Sequence, residues 1–102
     1  MDIDQYQLKA QETALYSDTM YPVVSLIIEA AELADLYVKP CLRGDAVDIN
    51  REEIVKEAGD VFWNLAALLT DQGILMSEVL EKNIQKLQRR QKNGTIQGSG
   101  ER

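Results

Sequence analysis

Histidine is absent from this chain of 102 residues, and cysteine occurs only once, at Cys41. Without histidine the chain cannot hold a Ser-His-Asp triad, a histidine-ligated zinc site or the Glu-x-x-His ligands of di-iron bundles. A single cysteine excludes an internal disulfide and a cysteine cluster for a soft metal. A metal site in this sequence is therefore expected to use oxygen ligands.

The chain also has fewer basic than acidic residues, 11 against 17, and no long uninterrupted apolar run. Its formal net charge is −6, which argues against a nucleic-acid backbone or an anionic membrane as the main partner. The segment Met1-Asp2-Ile3-Asp4-Gln5 is not an apolar signal region, and no stretch is long enough to span a bilayer. These absences predict a soluble, cytoplasmic protein with a single domain over residues 1–102.

Proline and glycine are scarce, and their positions predict four helices. The first helix is expected over residues 3–17, with Asp2 or Asp4 as its N-cap. The second is expected over residues 22–38, because proline suits a first helical turn. Pro40 is expected to close it, followed by a loop.

The second half of the chain carries clearer helix signals. Asn50 followed by Glu53 is close to a capping box and predicts a third helix that ends near Asp71. Ser77 is expected to cap a fourth helix that ends near Lys92, with a glycine just beyond its end. A short Gly/Ser-rich tail is expected from about residue 94.

The second and third helices are apolar on most of their faces, and such helices are usually buried on most faces. Four helices in one small monomer cannot bury two of this kind. The expected fold is therefore an all-α four-helix bundle that shares its core across a homo-oligomer.

Two acidic pairs interrupt these apolar helices. Glu29 and Glu32 lie on the second helix, and Glu57 and Asp60 lie on the third. A spacing of three residues puts both carboxylates of a pair on one helical face. Carboxylates beside apolar surface are costly unless they are neutralised. Acidic pairs are also common on solvated faces, but the apolar flanks and the repetition favour a site for Mg²⁺, with Mn²⁺ as the alternative.

The fourth helix supplies the opposite charge. Asn83, Lys86 and Arg90 share one of its faces, and Lys39 and Arg43 lie at the end of the second helix and just after it. Basic residues near a helix C-terminus also complement the helix dipole. A basic face beside an acidic metal site is, however, what a polyphosphate substrate needs.

These residues resemble a known family. Glu29-x-x-Glu32 followed by Glu57-x-x-Asp60 is similar to the signature of the MazG-like all-α nucleoside triphosphate pyrophosphohydrolases. The similarity extends to most of the chain. The flanking segments that share it are Tyr6-Gln7, Thr13-Ala14-Leu15-Tyr16, Tyr21-Pro22, Ala58-Gly59, Val61-Phe62-Trp63, Asn83-Ile84-Gln85-Lys86-Leu87, Arg90, Gly94 and Gly98-Ser99-Gly100.

The resemblance implies that a nucleoside triphosphate is cleaved between its α and β phosphates. It implies that all four acids bind Mg²⁺ and that one of them, which we assign as Glu32, handles the attacking water. Asn83, Lys86 and Arg90, together with Lys39, would hold phosphate. Dimers or dimers of dimers are implied as well.

Base contacts are implied less directly. Tyr21, Trp63 and Asn64 are the candidates, although each aromatic side chain equally suits a core or an interface. Asn64 stands where many relatives carry an aromatic residue. Ile28 and Ala31 stand where short relatives often carry glycine.

Three other functions remain open at this point. Phosphoribosyl-ATP pyrophosphatases and all-α dUTPases use the same acidic chemistry. A catalytically silent helical oligomer that binds a nucleotide or a protein partner would also fit the composition. A panel of nucleotide substrates distinguishes these functions.

Overall fold

The structure is a computed structural model that describes residues 1–94. It contains four helices in this range, α1 (Ile3–Glu12), α2 (Met20–Leu42), α3 (Arg51–Asp71) and α4 (Met76–Lys92), and no strand. The prediction of an all-α fold is therefore confirmed. No helix in the described range is long and apolar enough to cross a membrane. The predicted tail beyond residue 94 lies outside the described residues.

α1 begins where the sequence predicts and ends earlier. The Asp2 carboxylate accepts a hydrogen bond from the Gln5 backbone, and the Gln5 side chain accepts one from the Asp2 backbone, which completes a capping box. The predicted end near Ser17 is wrong, because α1 ends at Glu12. The Thr13 hydroxyl donates to a carbonyl of the last turn at 2.7 Å and closes the helix there.

α2 is longer at both ends than the prediction. Its first residue is Met20, whose backbone N–H donates to the Asp18 carboxylate at 2.9 Å. Pro22 lies in the first turn, as predicted. Pro40 does not close the helix, however, because later backbone hydrogen bonds complete one more turn. The helix stops before Gly44, whose φ of +76° is a conformation that favours glycine.

α3 has the predicted bounds. The Asn50 side chain accepts hydrogen bonds from the backbone N–H groups of Glu52 and Glu53 at 3.0 and 3.3 Å. This cap fixes where the helix begins, and the helix continues to Asp71.

α4 is capped by another helix, and the prediction that Ser77 caps it is wrong. The helix begins at Met76, and the N-cap residue Leu75 provides no side-chain cap. Asp4 of α1 instead accepts from the Ser77 backbone at 3.0 Å and from the Ser77 hydroxyl at 2.6 Å. The Gln7 side-chain oxygen accepts from the Met76 backbone at 2.8 Å.

Gln7 connects three parts of the fold. It is 5% exposed, and its amide N–H groups donate to the Thr70 hydroxyl at 3.1 Å and to the Ile74 carbonyl at 2.8 Å. Together with its contact to Met76, these bonds use both ends of the amide. Gln7 therefore fixes α1 against the end of α3, the following turn and the start of α4.

The core of the single chain is small. Ala10, Ala66 and Met76 form its buried centre, and larger side chains pack around them only in part. The Cα radius of gyration is 16.5 Å, whereas a compact domain of about 100 residues has ~13 Å. α2 leaves many apolar side chains exposed, among them Tyr21, Val24, Ile27, Ile28, Tyr37 and Val38.

Candidate metal centre

Three of the four predicted acids converge where α2 packs along α3. Glu29 of α2 and Glu57 and Asp60 of α3 each offer a carboxylate oxygen, and these oxygens lie within 4.8 Å of one another. All three residues are half-buried. The spacing of three residues on α3 places its two acids on one face, and that face is turned toward Glu29.

Glu32 joins this cluster from its solvent side. Its side chain is exposed, and it lies close enough that its charge acts on both Glu29 and Glu57. The structure therefore brings three of the four acids together and places the fourth, Glu32, beside them.

The cluster disfavours its own negative charge. Burial, followed by repulsion from Glu32, raises the pKa of Glu29, and Asp60 and Glu57 add to this. Burial and the same Glu32 raise the pKa of Glu57, and the nearby Lys56 only partly opposes the shift. Without a cation, the clustered carboxylates destabilise one another.

Two carboxylate oxygens of the cluster are buried without a hydrogen-bond partner among the described residues. Glu29 Oε2 and Glu57 Oε2 are buried, and neither has a hydrogen-bond partner within residues 1–94. Buried carboxylate oxygens need a partner, and a divalent cation supplies one. Because every ligand offered is a carboxylate oxygen, the residues fit Mg²⁺ or Mn²⁺ better than softer metals.

The basic residues at the end of α2 lie on the same helix pair as the cluster, in a cleft that none of the four acids lines. Lys39 and Arg43 line a cleft of about 260 Å³ between the end of α2 and the start of α3. Lys39 pairs with Asp35 at 3.5 Å, and Arg43 pairs with Asp45 at 3.0 Å. Both basic side chains of the cleft therefore already form ion pairs with neighbouring acids.

Two of the predicted phosphate ligands of α4, Asn83 and Lys86, line a cleft apart from the acids in the single chain. Asn83 and Lys86 line a cleft of about 420 Å³ with Lys82 and apolar side chains, and none of the four acids lines it. Arg90 is half-buried one turn further along α4. α4 packs against α1.

The predicted base contacts separate into two environments. Asn64 is 3% exposed, and its amide N–H donates to the Asp60 carbonyl at 2.8 Å, so it supports the backbone of a cluster residue. Tyr21 and Trp63 instead line a separate cleft of about 390 Å³.

Sequence reasoning missed Tyr16 as a member of this aromatic group. The Tyr16 ring stacks on Tyr21 at 5.7 Å and meets Trp63 edge-on at 6.2 Å. Its hydroxyl donates to the Asp71 carboxylate at 2.8 Å, and burial together with Asp71 raises the pKa of Tyr16 to about 12. Sequence reasoning did not place Tyr16 in this group because it predicted that the first helix continues to residue 17, whereas α1 ends at Glu12.

Comparisons with known proteins match the part of the chain that contains the acidic cluster. The family described as MazG nucleotide pyrophosphohydrolase domain matches residues 19–95, a range that contains both acidic pairs. The chain is 36% identical over 113 aligned positions to the Gene 37 protein of Mycobacterium phage L5. That alignment covers 99% of this chain and 98% of the phage protein. No solved structure is matched by the chain.

Proposed function

Because the chain belongs to the MazG nucleotide pyrophosphohydrolase family, we propose that it is a Mg²⁺-dependent enzyme that converts a nucleoside or deoxynucleoside triphosphate and water to the monophosphate and pyrophosphate. One observation carries the proposal. Oxygens of Glu29, Glu57 and Asp60 converge within 4.8 Å, and two buried oxygens of the cluster lack a partner. A bound cation would offset the repulsion within this cluster and give both oxygens a partner.

Each acid has a role in this proposal. Glu29, Glu57 and Asp60, with Glu32, would hold Mg²⁺, which offsets the charge that develops on the phosphate oxygens when it is bound. Glu32 is the exposed member, and its carboxylate is available to accept a proton from water. Water attacks the α phosphorus, the bond from that phosphorus to the bridging oxygen breaks, and pyrophosphate leaves with the electron pair.

Phosphate binding is assigned to the basic residues. Lys39 and Arg43 flank the α2–α3 groove on the side of the cluster away from the aromatic cleft. Asn83, Lys86 and Arg90 are assigned to phosphate by the family resemblance, and they would reach it only if another subunit of the proposed homo-oligomer brought α4 to the acids. A triphosphate carries enough charge to compete with the present partners of Lys39 and Arg43, Asp35 and Asp45.

A substrate panel tests the activity. The purified protein is incubated with Mg²⁺ and each of the eight common nucleoside and deoxynucleoside triphosphates, with dUTP and phosphoribosyl-ATP added, and pyrophosphate and monophosphate are assayed. Equal amounts of both products are expected. Turnover of dUTP alone, or of phosphoribosyl-ATP alone, would assign one of the related activities. No turnover of any member would favour the silent oligomer.

A homo-oligomer is the second part of the proposal. The exposed apolar side chains of α2 and the small core of the single chain support it. Light scattering coupled to size exclusion should give a mass of at least two chains of 11.5 kDa each. Ile27→Asp places a charge on this face, since Ile27 is 69% exposed, and is expected to lower the mass to one chain. A wild-type monomer would contradict the shared core.

A further inference from the structure

Asn64 continues the stripe of α3 on which Glu57 and Asp60 lie. It follows Asp60 by four residues, so the two side chains share one face of the helix. Helical side chains lean toward the N-terminus of their helix, which places the Asn64 amide over the turn that carries Asp60. The hydrogen bond from this amide N–H to the Asp60 carbonyl at 2.8 Å agrees with the placement. Asn64 therefore lies at the edge of the acidic cluster, on the side of Asp60.

The two ends of the cluster differ in exposure. The end of α2 and the start of α3 line one cleft, so the two helices run antiparallel. Glu32 follows Glu29 on α2 and therefore lies toward the start of α3, whereas Asn64 lies toward the end of α3. Glu32 is exposed, but Asn64 is only 3% exposed. The cluster thus has an open end at Glu32 and a closed end at Asn64.

The side-chain oxygen of Asn64 has an unfilled hydrogen bond. Oδ1 is buried, and no group within residues 1–94 donates to it. The amide N–H bonds to a carbonyl, which can only accept, and this fixes which end of the amide carries the oxygen. Because an amide oxygen has no proton of its own, the missing partner is a donor or a cation. A buried oxygen of this kind is costly to leave unpaired.

We infer that Asn64 Oδ1 accepts a hydrogen bond from a water molecule that is a ligand of the cation at the acidic cluster. The inference rests on the proposed function, because it takes a cation to be bound by the acids. It makes Asn64 a positioning residue of the metal centre, which differs from the base contact predicted for it from the sequence.

The chemistry of the cation favours a water between Asn64 and the ion. Mg²⁺ gives up its waters reluctantly and usually keeps several of them in a protein site. A water whose oxygen faces the ion has two hydrogens left to donate, and in a closed site each of them needs an acceptor. Asn64 Oδ1 accepts one, and a carboxylate oxygen of the cluster accepts the other. Outer groups of this kind orient the ligands of a metal.

This water is distinct from the one that attacks the substrate. The attacking water is assigned to Glu32, at the open end of the cluster, where a carboxylate can take its proton. Asn64 lies at the closed end, and a neutral amide oxygen is not a general base. Asn64 therefore acts on how tightly the cation is held.

The first test measures the binding of Mn²⁺ to the metal-free protein without any nucleotide. The free ion is counted by its EPR signal, so the readout needs no turnover. Asn64→Leu keeps the approximate size of the side chain and removes the oxygen. It is expected to raise the Kd for Mn²⁺ by ~10–100-fold. A Kd equal to that of the wild type would overturn the inference.

Melting of the metal-free protein separates this role from simple support of the helix. Asn64→Leu removes a buried acceptor that has no partner, so without metal the variant is expected to melt no lower than the wild type. With Mn²⁺ present, the wild type should melt higher than the variant. If the metal-free variant melts lower and binds Mn²⁺ normally, Asn64 only supports the backbone at Asp60, and the inference is wrong.

Thr70→Val is the matched control for the loss of a polar side chain on α3. Thr70 lies ten residues beyond Asp60, about 15 Å along the helix, and its hydroxyl accepts a hydrogen bond from Gln7. The variant is expected to be less stable but to bind Mn²⁺ with the Kd of the wild type. A Kd raised as much as in Asn64→Leu would show that the effect is not specific to Asn64 and would overturn the inference.

A crystal structure of the wild type with Mn²⁺ tests the contact itself. The anomalous signal locates the ion, and a water bound to it is expected about 2.5–3.0 Å from Asn64 Oδ1. Direct ligation of the ion by Oδ1, or an Oδ1 without such a water, would overturn the inference. If the wild type binds no Mn²⁺ at all, the proposed function fails together with it, whereas an unchanged Kd in Asn64→Leu removes the inference alone.

Discussion

Asp60→Asn and Glu32→Gln are each expected to lower kcat at least ~10³-fold, which is the scale on which losing one preorganised charge-stabilising group acts. Each change keeps the size of the side chain and removes one of the negative charges that would hold the cation. The assay is the release of pyrophosphate at saturating Mg²⁺. Near-normal activity in either variant would show that the cluster is not the metal site.

The same two variants are expected to stabilise the metal-free fold although they lose activity. The metal-free protein should melt at a higher temperature with either amide, because repulsion within the cluster contributes to the raised pKa values of Glu29 and Glu57. Mg²⁺ at 100 times its Kd should stabilise the folded wild type by about 2.7 kcal/mol, and its melting temperature should rise accordingly. The variants should lose much of that response.

Glu52→Gln is the matched control for both measurements. Glu52 is an exposed acid in the first turn of α3, outside the cluster. Its replacement is expected to leave kcat and the response to Mg²⁺ unchanged. A loss of activity there equal to that of Asp60→Asn would mean that general charge, and not the cluster, controls turnover.

Gln7→Ala is expected to destabilise the fold by about 3 kcal/mol. The change leaves the Met76 N–H, the Ile74 carbonyl and the Thr70 hydroxyl without the partner that Gln7 gives them. For a domain of this size the melting temperature should fall by roughly 10–20 °C. Thermal unfolding followed by circular dichroism measures it.

Gln11→Ala is the control for this change, because Gln11 is exposed on α1 one turn later. It is expected to alter stability by less than about 0.5 kcal/mol. Equal effects of the two substitutions would show that the hydrogen bonds of Gln7 do not hold α1 against α4.

The local parts of this fold were predictable from the sequence. Asn50 caps α3 through its own side chain, and Asp2 caps α1 in the same way. Such caps involve residues two or three positions apart, so the pattern contains both partners. α4 is different, since its cap is Asp4, 73 positions away from Ser77. No local pattern identifies a partner at that distance.

The candidate site also has a part that the sequence predicted and a part that depends on tertiary contacts. The repeated acidic spacing predicted the meeting of Glu29, Glu57 and Asp60, with Glu32 beside them, because helical periodicity fixes the face and one loop brings α2 beside α3. The aromatic cleft was predicted only in part. Tyr16 reaches it because α1 ends at Glu12, and that early end depends on the tertiary contact of Thr13 with Trp63 as well as on the Thr13 hydroxyl.

Hydrolysis in ¹⁸O-labelled water tests the central claim most directly. The protein is given Mg²⁺ and a triphosphate that it hydrolyses in the substrate panel, and the products are followed by ³¹P NMR. The account predicts pyrophosphate without label and a monophosphate that carries one ¹⁸O on its phosphorus. Release of orthophosphate with a nucleoside diphosphate, or label in the pyrophosphate, would contradict it.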